Sequence, residues 1–324
     1  MSSRIDRLMG LASLQGPCVT GYRRFGVPPG GAFDQESFRL ANALLGNEPG
    51  ALAIELSNAS IEIAFSATTR VAVVGAPVRT EVSGTLAVSN SAFDVPAGSN
   101  FQVHAPRHGL RAYICVAGGW IPSGIDSALG RSGRHLSVGD VLQHGETTPT
   151  GAIQRLADLP SSLAQGPFRV LKGPQSGFAG QPIRLASGRV LPLRVSNDSD
   201  RTGIRLDGLS PQELPKIDSE TTVRALGNAR HDKFPELPSE PACVGAIQST
   251  PSGQLIVIGP DGPTIGGYPK IAVVCSADLD RLAHLRPGQE VELATIDLGV
   301  ADALAAAREL TIVNTVRQIQ IARG

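Results

Sequence analysis

Short runs of β-branched and aromatic residues recur along this chain, each cut off by glycine or proline, and that punctuation constrains the fold more than any other feature. The runs Ser60 to Phe65, Arg70 to Val74, Phe101 to His104, Arg111 to Val116, Phe168 to Leu171, Leu191 to Val195, Leu255 to Ile258 and Lys270 to Cys275 have strand length and composition. Thirty-seven glycines and 24 prolines supply the turns. The spacing predicts barrels or sandwiches rather than βαβ units: a mainly β protein with a few α-helices.

Three segments read as helices. The first follows Asp34 as N-cap, carries Glu36 in its first turn, lines up Phe38, Ala41, Leu44 and Leu45, and stops at Gly46. The second starts at Ser276, has Asp278 near its positive end, and buries Leu279, Leu282 and Leu285 before Pro287-Gly288. The third is the alanine-rich stretch Val300 to Leu310, expected to hand over to a closing strand near Ile312 to Ile321.

The chain has 324 residues, and at roughly 100 to 200 residues per domain this predicts two. Glu146 to Pro167 mixes Thr, Pro, Ser and Gly around one short helical pattern at Ala152 to Leu159, so a linker is expected there. The cut gives N-terminal and C-terminal β-barrel domains, 1–160 and 161–324. His135-Leu136-Ser-Val-Gly139 and His284-Leu285-Arg-Pro-Gly288 share H-L-x-x-G at an offset of 149, a faint echo between the halves.

Lys+Arg and Asp+Glu balance at 29 each, which leaves no basic footprint for nucleic acid and points to small molecules or protein partners. No run approaches the ~18 apolar residues of a membrane span. The apolar run Leu8 to Leu14 is broken by Gly10 and too short for a signal peptide, so a cytoplasmic product is expected. Cys18, Cys115, Cys243 and Cys275 lie far apart and read as buried free thiols. His104 and His108 are separated by Ala-Pro-Arg, which forbids the helix that would put them on one face, and no metal site is expected.

Four glycine-set polar segments are candidates for chemistry. Asp261-Gly-Pro-Thr264-Ile-Gly266-Gly267-Tyr268-Pro-Lys270 gathers a carboxylate, a hydroxyl, a two-glycine turn, a phenol and an ammonium ahead of an apolar strand. Tyr22-Arg23-Arg24-Phe25, followed by Pro28-Pro29-Gly30-Gly31 and the helix at Asp34, suits an anionic ligand. Asp200 beside Arg201 could form a positioned ion pair, the guanidinium binding a carboxylate or phosphate. Gln248, alternating with apolar neighbours, could point into a barrel mouth. Each segment also fits a plain turn or strand end with its charges in water. Gly173-Pro174-Gln175 lacks the lysine and hydroxyl of a phosphate-binding loop.

Taken in order, these segments resemble the KipA family, also described as the family of the 5-oxoprolinase C-subunit, of allophanate hydrolase subunit 2, or of biotin-dependent carboxyltransferases. The blocks are Gly-Tyr-Arg-Arg-Phe-Gly-Val-Pro from Gly21, Gly-Ala-Phe-Asp ending at Asp34, Leu-Ala-Asn from Leu40 and Val-Ala-Gly-Gly from Val116. Gly-Pro-Gln from Gly173, Ser-Asp-Arg-x-Gly-x-Arg-Leu-x-Gly from Ser199, Gly-Ala-Ile-Gln from Gly245 and Gly-Gly-Tyr-Pro-Lys-Ile from Gly266 complete the series.

The resemblance implies tandem cyclophilin-like β-barrel domains. It also implies partnership with a KipI-like subunit, a lactam-utilisation-type subunit being a further candidate. The activity it implies is the ATP-dependent opening of 5-oxoproline to glutamate by a multi-subunit hydrolase. Two alternatives stand beside it: carboxyl transfer from carboxybiotin to urea or a related amide, and non-catalytic regulation of a KipI-like kinase inhibitor. This chain alone is expected to bind no cofactor; ATP belongs to the complex, and carboxybiotin would arrive on another chain. Lys270 and Asp200 are the catalytic candidates. Arg23, Asp34, Arg201, Gln248, Asp261, Thr264, Gly266, Gly267 and Tyr268 are the substrate-binding ones. Three departures bear on activity: an eroded opening motif at Leu14 to Gly21, a shortened loop at Ser127 to Arg134, and Ile265 where a second threonine is usual.

Overall fold

The computed structural model describes residues 1–121, 133–146, 154–158, 160–176, 193–208 and 237–323. Positions 127–132 of the shortened loop, 152–153 and 159 of the expected short helix, and 191–192 of an expected strand lie outside them. The chain forms two compact units, one of Met1–Val19, Gly30–Ala164 and Arg308–Gly324, the other of Thr20–Pro29 and Gln165–Ala307. Each contains one large curled sheet.

The strands of the first unit are β1 (Ser2–Gln15), β2 (Ala53–Phe65), β3 (Thr69–Gly75), β4 (Thr80–Val82), β5 (Thr85–Ala87), β6 (Ser91–Val95), β7 (Asn100–Val103), β8 (Arg111–Val116), β9 (Trp120–Ile121), β10 (Val141–His144) and β11 (Gln154–Arg155). They form one 11-stranded sheet in the order β11-β6-β3-β8-β2-β1-β10-β9, with β7 also pairing β2 and leading to β4 and β5. β2 pairs with β8 over Ile54 to Ser57 and with β7 over Ile61 to Ala64, and Asn58 between them has φ 46°. A strand that changes partner along its length curls its sheet.

Alternation along the strands fills both faces. Val71, Val73, Ile114 and Val116 join Ile54, Leu56, Phe65 and Phe101 in one core, while Ala72, Val74, Tyr113 and Cys115 pack under helix α1 (Gln35–Leu45) with Phe38, Ala41 and Leu44. Burial on both sides explains why these strands read as continuous apolar runs. Helix α1 ends as its sequence predicts: Asp34 accepts from the Ser37 amide at 3.0 Å, and Gly46 takes φ 65°.

The apolar run Leu8 to Leu14 lies inside β1, a strand absent from the sequence-based expectations. Gly10 explains why a broken run is still one strand. The register shifts between Met9 and Leu11, Gly10 takes φ 94°, and a Cβ there would stand 2.6 Å from the Asn58 carbonyl oxygen. Only glycine permits both the left-handed backbone and the close approach of β2.

His144 closes this region, packed edge-on against Phe65 and Trp120 with its Nδ1 3.0 Å from the Gly145 oxygen. Its Nε2 is buried without a partner among the described residues. Burial holds its pKa below the ordinary 6.5, a smaller opposing effect coming from the Gly145 carbonyl. A depressed folded-state pKa gives stability that is present above 6.5 and lost as pH falls through the folded value. Acid titration followed by circular dichroism should therefore show a stability slope below that pH which His144→Phe flattens.

In the second unit the strands are β12 (Phe168–Lys172), β13 (Leu193–Val195), β14 (Gly203–Asp207), β15 (Glu240–Pro241), β16 (Ala246–Ser249), β17 (Leu255–Ile258), β18 (Ile265–Gly266), β19 (Lys270–Val274), β20 (Glu290–Val291) and β21 (Leu293–Thr295). The main sheet runs β20-β13-β14-β17-β16-β19-β12-β21, and β15 pairs with β18 in a separate ribbon. β17 and β19 are both antiparallel to the strand between them, β16, and so run parallel to each other. The connection 259–269 must therefore return from the end of one to the start of the other along the sheet, and it carries β18 on the way.

Helix α2 (Leu279–Leu282) is shorter than its sequence pattern, because a 3-10 turn over Ser276–Asp278 precedes it. The fully buried Asp278 receives the Arg169 amide at 2.7 Å and its Nε at 3.0 Å, fixing that turn to β12. Helix α3 (Leu298–Arg323) corrects a second expectation, since the closing strand near Ile312 to Ile321 is helical. Ile312, Val316 and Ile319 fall at helical spacing, Ile312 and Ile319 are buried, and Val316 and Ile319 meet the α1 core. β-Branching suggested a strand, but the burial period is 3.6.

Among the described residues no helix is long and apolar enough to cross a membrane. Cys115 and Cys275 are buried as expected, whereas Cys18 and Cys243 are exposed, which corrects the expectation for two of the four thiols.

Candidate functional site

The polar groups of the second unit collect where the ribbon β15–β18 meets the main sheet. β16 and β19 are paired there with Gln248 opposite Lys270, across a bulge that follows Ile247. In the ribbon, Glu240 stands opposite Gly266. A Cβ on Gly266 would come within 2.7 Å of the Gln248 Nε2, so a side chain there would have to push the Gln248 amide aside. At Gly267 a Cβ would meet the Leu237 main-chain oxygen at 3.1 Å, a tight contact with backbone.

Lys270 is the most tightly held member of the group. Its side chain is 6% exposed, and its Nζ donates to Glu240 Oε2 at 2.8 Å. Gln175 contacts the pair at three points: Gln175 Nε2 donates to the same Glu240 oxygen at 2.9 Å, Gln175 Oε1 accepts from the Lys270 amide at 3.0 Å, and the Gln175 amide donates to the Lys270 carbonyl at 3.1 Å. The hydrogen bond from Lys270, and after it that from Gln175, holds the Glu240 carboxyl below the usual carboxylate range. The pair is an ammonium facing a carboxylate.

Gln248 and Thr264 are buried beside this group. The Thr264 carbonyl accepts the Ala242 amide at 2.9 Å. Tyr268, at the far end of the ribbon's return, is exposed, as is Ile265.

The remaining sequence candidates are held in other ways. Arg201 does not pair with Asp200: its guanidinium grips Asp261 through Nε at 2.7 Å and an Nη at 2.9 Å. Asp200 turns its carboxylate inward on its own loop, accepting the Thr202 amide at 2.8 Å and the Gly203 amide at 3.0 Å. That is an Asx-type turn leading into β14. The Arg201–Asp261 pair ties this turn to the start of the 259–269 connection, since the Asp261 amide also donates to the Arg201 carbonyl at 3.2 Å.

Asp34, in the other unit, is fully buried and bonded to the Ser37 amide and hydroxyl and to the Ser162 hydroxyl. Its carboxylate caps a helix. Arg23 lies in a 3-10 turn, Arg23–Phe25, and both of its Nη atoms are buried with no hydrogen-bond partner among the described residues.

Sequence reasoning missed Glu240 altogether. It sits in Pro238-Ser239-Glu240-Pro241, where nothing in the residue types marks a site, and only the pairing of two-residue strands brings it to Lys270. Gln175 stands in Gly-Pro-Gln, one of the family's blocks, but nothing in that tripeptide signals its contacts with Lys270 and Glu240.

A family model described as the carboxyltransferase domain, subdomain A and B, matches residues 25–295. The chain belongs to this carboxyltransferase domain family. All of the Lys270 group falls inside the matched carboxyltransferase region. The C-subunit of 5-oxoprolinase from Escherichia coli K12 is 29% identical, over 89% of this chain and 89% of that protein. The crystal structure of the Kluyveromyces lactis urea carboxylase superposes with a TM-score of 0.78 at 27% identity, covering 97% of this chain but 29% of that one. The crystal structure of TTHA0988 gives a TM-score of 0.73 at 28% identity, over 90% of this chain. The chain spans 56% of the length of TTHA0988, about half of it.

Proposed function

We propose that this chain is a subunit of a cytoplasmic, ATP-dependent 5-oxoprolinase-type complex, in which it works with a KipI-like subunit, and with a lactam-utilisation-type subunit, to hydrolyse a cyclic amide. The observation that carries this reading is reciprocal coverage: the chain matches 89% of a relative named as the C-subunit of 5-oxoprolinase, with 89% of its own length. The site chemistry agrees with it. Opening a lactam puts negative charge on the carbonyl oxygen and requires a proton at the ring nitrogen. Lys270 and the Gln248 amide are donors on paired strands, the arrangement that such an oxygen requires. The guanidinium of Arg23, unpartnered among the described residues, suits a substrate that also bears a carboxylate.

Nucleotide is assigned to another subunit. Gln175, in the chain's Gly-Pro-Gln, is committed to Glu240 and Lys270, and no lysine or hydroxyl stands in that tripeptide to hold a phosphate. Co-expressing the chain with its two partner types should yield a complex that releases glutamate from 5-oxoproline only with ATP. Stable assembly without glutamate release would remove the reading.

A second reading, transfer of a carboxyl group from carboxybiotin on another chain to urea or a related amide, is favoured by the structural match to a urea carboxylase. It predicts biotin-dependent carboxylation by the same complex, and the two assays separate the alternatives. Non-catalytic regulation would leave both assays silent.

A further inference from the structure

We propose that Glu240 and Gln175 are positioning residues for Lys270, fixing its side chain as a charged hydrogen-bond donor directed at a substrate carbonyl oxygen, and not as a free amine that attacks or abstracts a proton. The proposal rests on the reading of this site as one for an amide.

Three observations carry it. An ammonium has three N–H donors, and among the described residues Lys270 uses one, on Glu240. Its side chain is nevertheless 6% exposed, so bulk water reaches it poorly. A buried cation with spare donors is stable beside one carboxylate and still able to accept a second oxygen partner.

Second, Gln175 restrains Lys270 on its main chain as well as through the carboxylate, with contacts of 3.0 and 3.1 Å to the two sides of one residue. Gly173 reinforces this, since a Cβ there would stand 2.2 Å from the Lys270 oxygen. The loop and the strand are in contact through backbone. Such over-determination removes most of the freedom of a long side chain, which is what orientation of a donor requires.

Third, Gln248 is buried and stands opposite Lys270 in the register of β16 and β19. Two donor-bearing side chains facing each other across paired strands fit a single oxygen or a planar amide edge between them. An amine acting as nucleophile would need the reverse arrangement, with no carboxylate stabilising its charged form.

The test uses the whole chain and the assembled complex in parallel. In the isolated chain, the Lys270 side chain is observed by carbon-detected NMR at fixed neutral pH, its signal assigned with Lys270→Arg. Glu240→Gln should broaden or split that signal, because the ammonium loses the carboxylate that fixes it. Glu240→Asp should restore much of its sharpness. Gln175→Ala should broaden it too without abolishing the fold. In the complex, Glu240→Gln should lower kcat for 5-oxoproline about 10-fold or more with a smaller change in KM, and Glu240→Asp should recover part of the rate.

An unchanged Lys270 signal in Glu240→Gln, with the chain folded, would overturn the proposal, as would full kcat in that variant of the complex. A broadened Lys270 signal in a complex that never turns over 5-oxoproline would instead count against the assignment of substrate, leaving the positioning of Lys270 in place.

Discussion

Replacing Lys270 by methionine is expected to lower turnover of the assembled complex by about 100-fold or more, the range for removing a group that donates to the reacting atoms. Methionine keeps an unbranched apolar stem in the buried slot while removing the charge. Glu240, whose side chain is 40% exposed in its pair with Lys270, can turn to water when that partner is lost, so the melting temperature should change little. Lys270→Arg keeps the charge but changes the donor geometry and should recover only part of the rate. Asp200→Ala provides the contrast, since it removes two amide contacts in a turn and leaves the Lys270 group intact. Steady-state kinetics on the three variants decide the matter: equal losses in Lys270→Met and Asp200→Ala would return Asp200 to the chemistry, and full turnover in Lys270→Met would remove Lys270 from it.

The largest effect on stability is expected at Glu55, in the first unit. Its carboxylate lies between β2 and the start of α1, accepting the Phe33 amide at 2.8 Å, the Tyr113 hydroxyl at 2.8 Å and Arg111 Nε at 3.3 Å. The side chains of Glu55 and Arg111 are 1% and 3% exposed. Arg111 also lies over the Phe33 ring at 4.5 Å, and the Tyr113 hydroxyl accepts the Asp34 amide at 2.8 Å. Burial, and after it the neighbouring carboxylates, raises the Tyr113 pKa well above its ordinary value, so its hydroxyl stays a donor. Glu55→Ala strips this network of its central acceptor and should cost about 3 to 5 kcal/mol, the usual effect of removing one partner of a buried ion pair. For a unit of this size that corresponds to a melting shift on the order of 10 °C. The double variant Glu55→Leu/Arg111→Leu should cost less than Glu55→Ala alone. A loss below ~1 kcal/mol in Glu55→Ala, measured by urea denaturation, would show that water enters and replaces the carboxylate.

What could be read from the sequence was what local chemistry decides. Helix α1 was legible to the residue because Asp34 and Gly46 define its ends by short-range bonding. The shared H-L-x-x-G was legible for a similar reason. Gly139 and Gly288 take φ 89° and 81°, and Asp140 and Gln289 each donate back three residues, to Ser137 at 3.1 Å and Arg286 at 3.0 Å. The same turn leads into β10 in one unit and β20 in the other.

What could not be read depended on partners distant in the chain. β1 looks interrupted until β2 explains Gly10. The pairing of Arg201 with Asp261 spans 60 residues and displaced the adjacent Asp200 that the sequence suggested. Glu240 is 30 residues from Lys270 and reaches it through a ribbon too short to announce itself. The glycines of the family's blocks mislead for the same reason: Gly173 and Gly266 record close approaches to Lys270 and Gln248 within the protein, which no local pattern distinguishes from room left for a ligand.

The interleaved course of the chain limits how it can be dissected. The passages at 19/20, 29/30, 164/165 and 307/308 each change unit, so no single cut releases either one whole. A fragment ending at residue 160 would lack Arg308, which bonds Glu36 at 3.0 Å, and Ile319, which belongs to the α1 core. It would also leave residues 20–29 attached to a body from which their own had been removed. Expression trials that treat the halves as separable modules would then yield insoluble material for reasons of chain order alone, and a split version of this protein must supply residues 308–324 in trans.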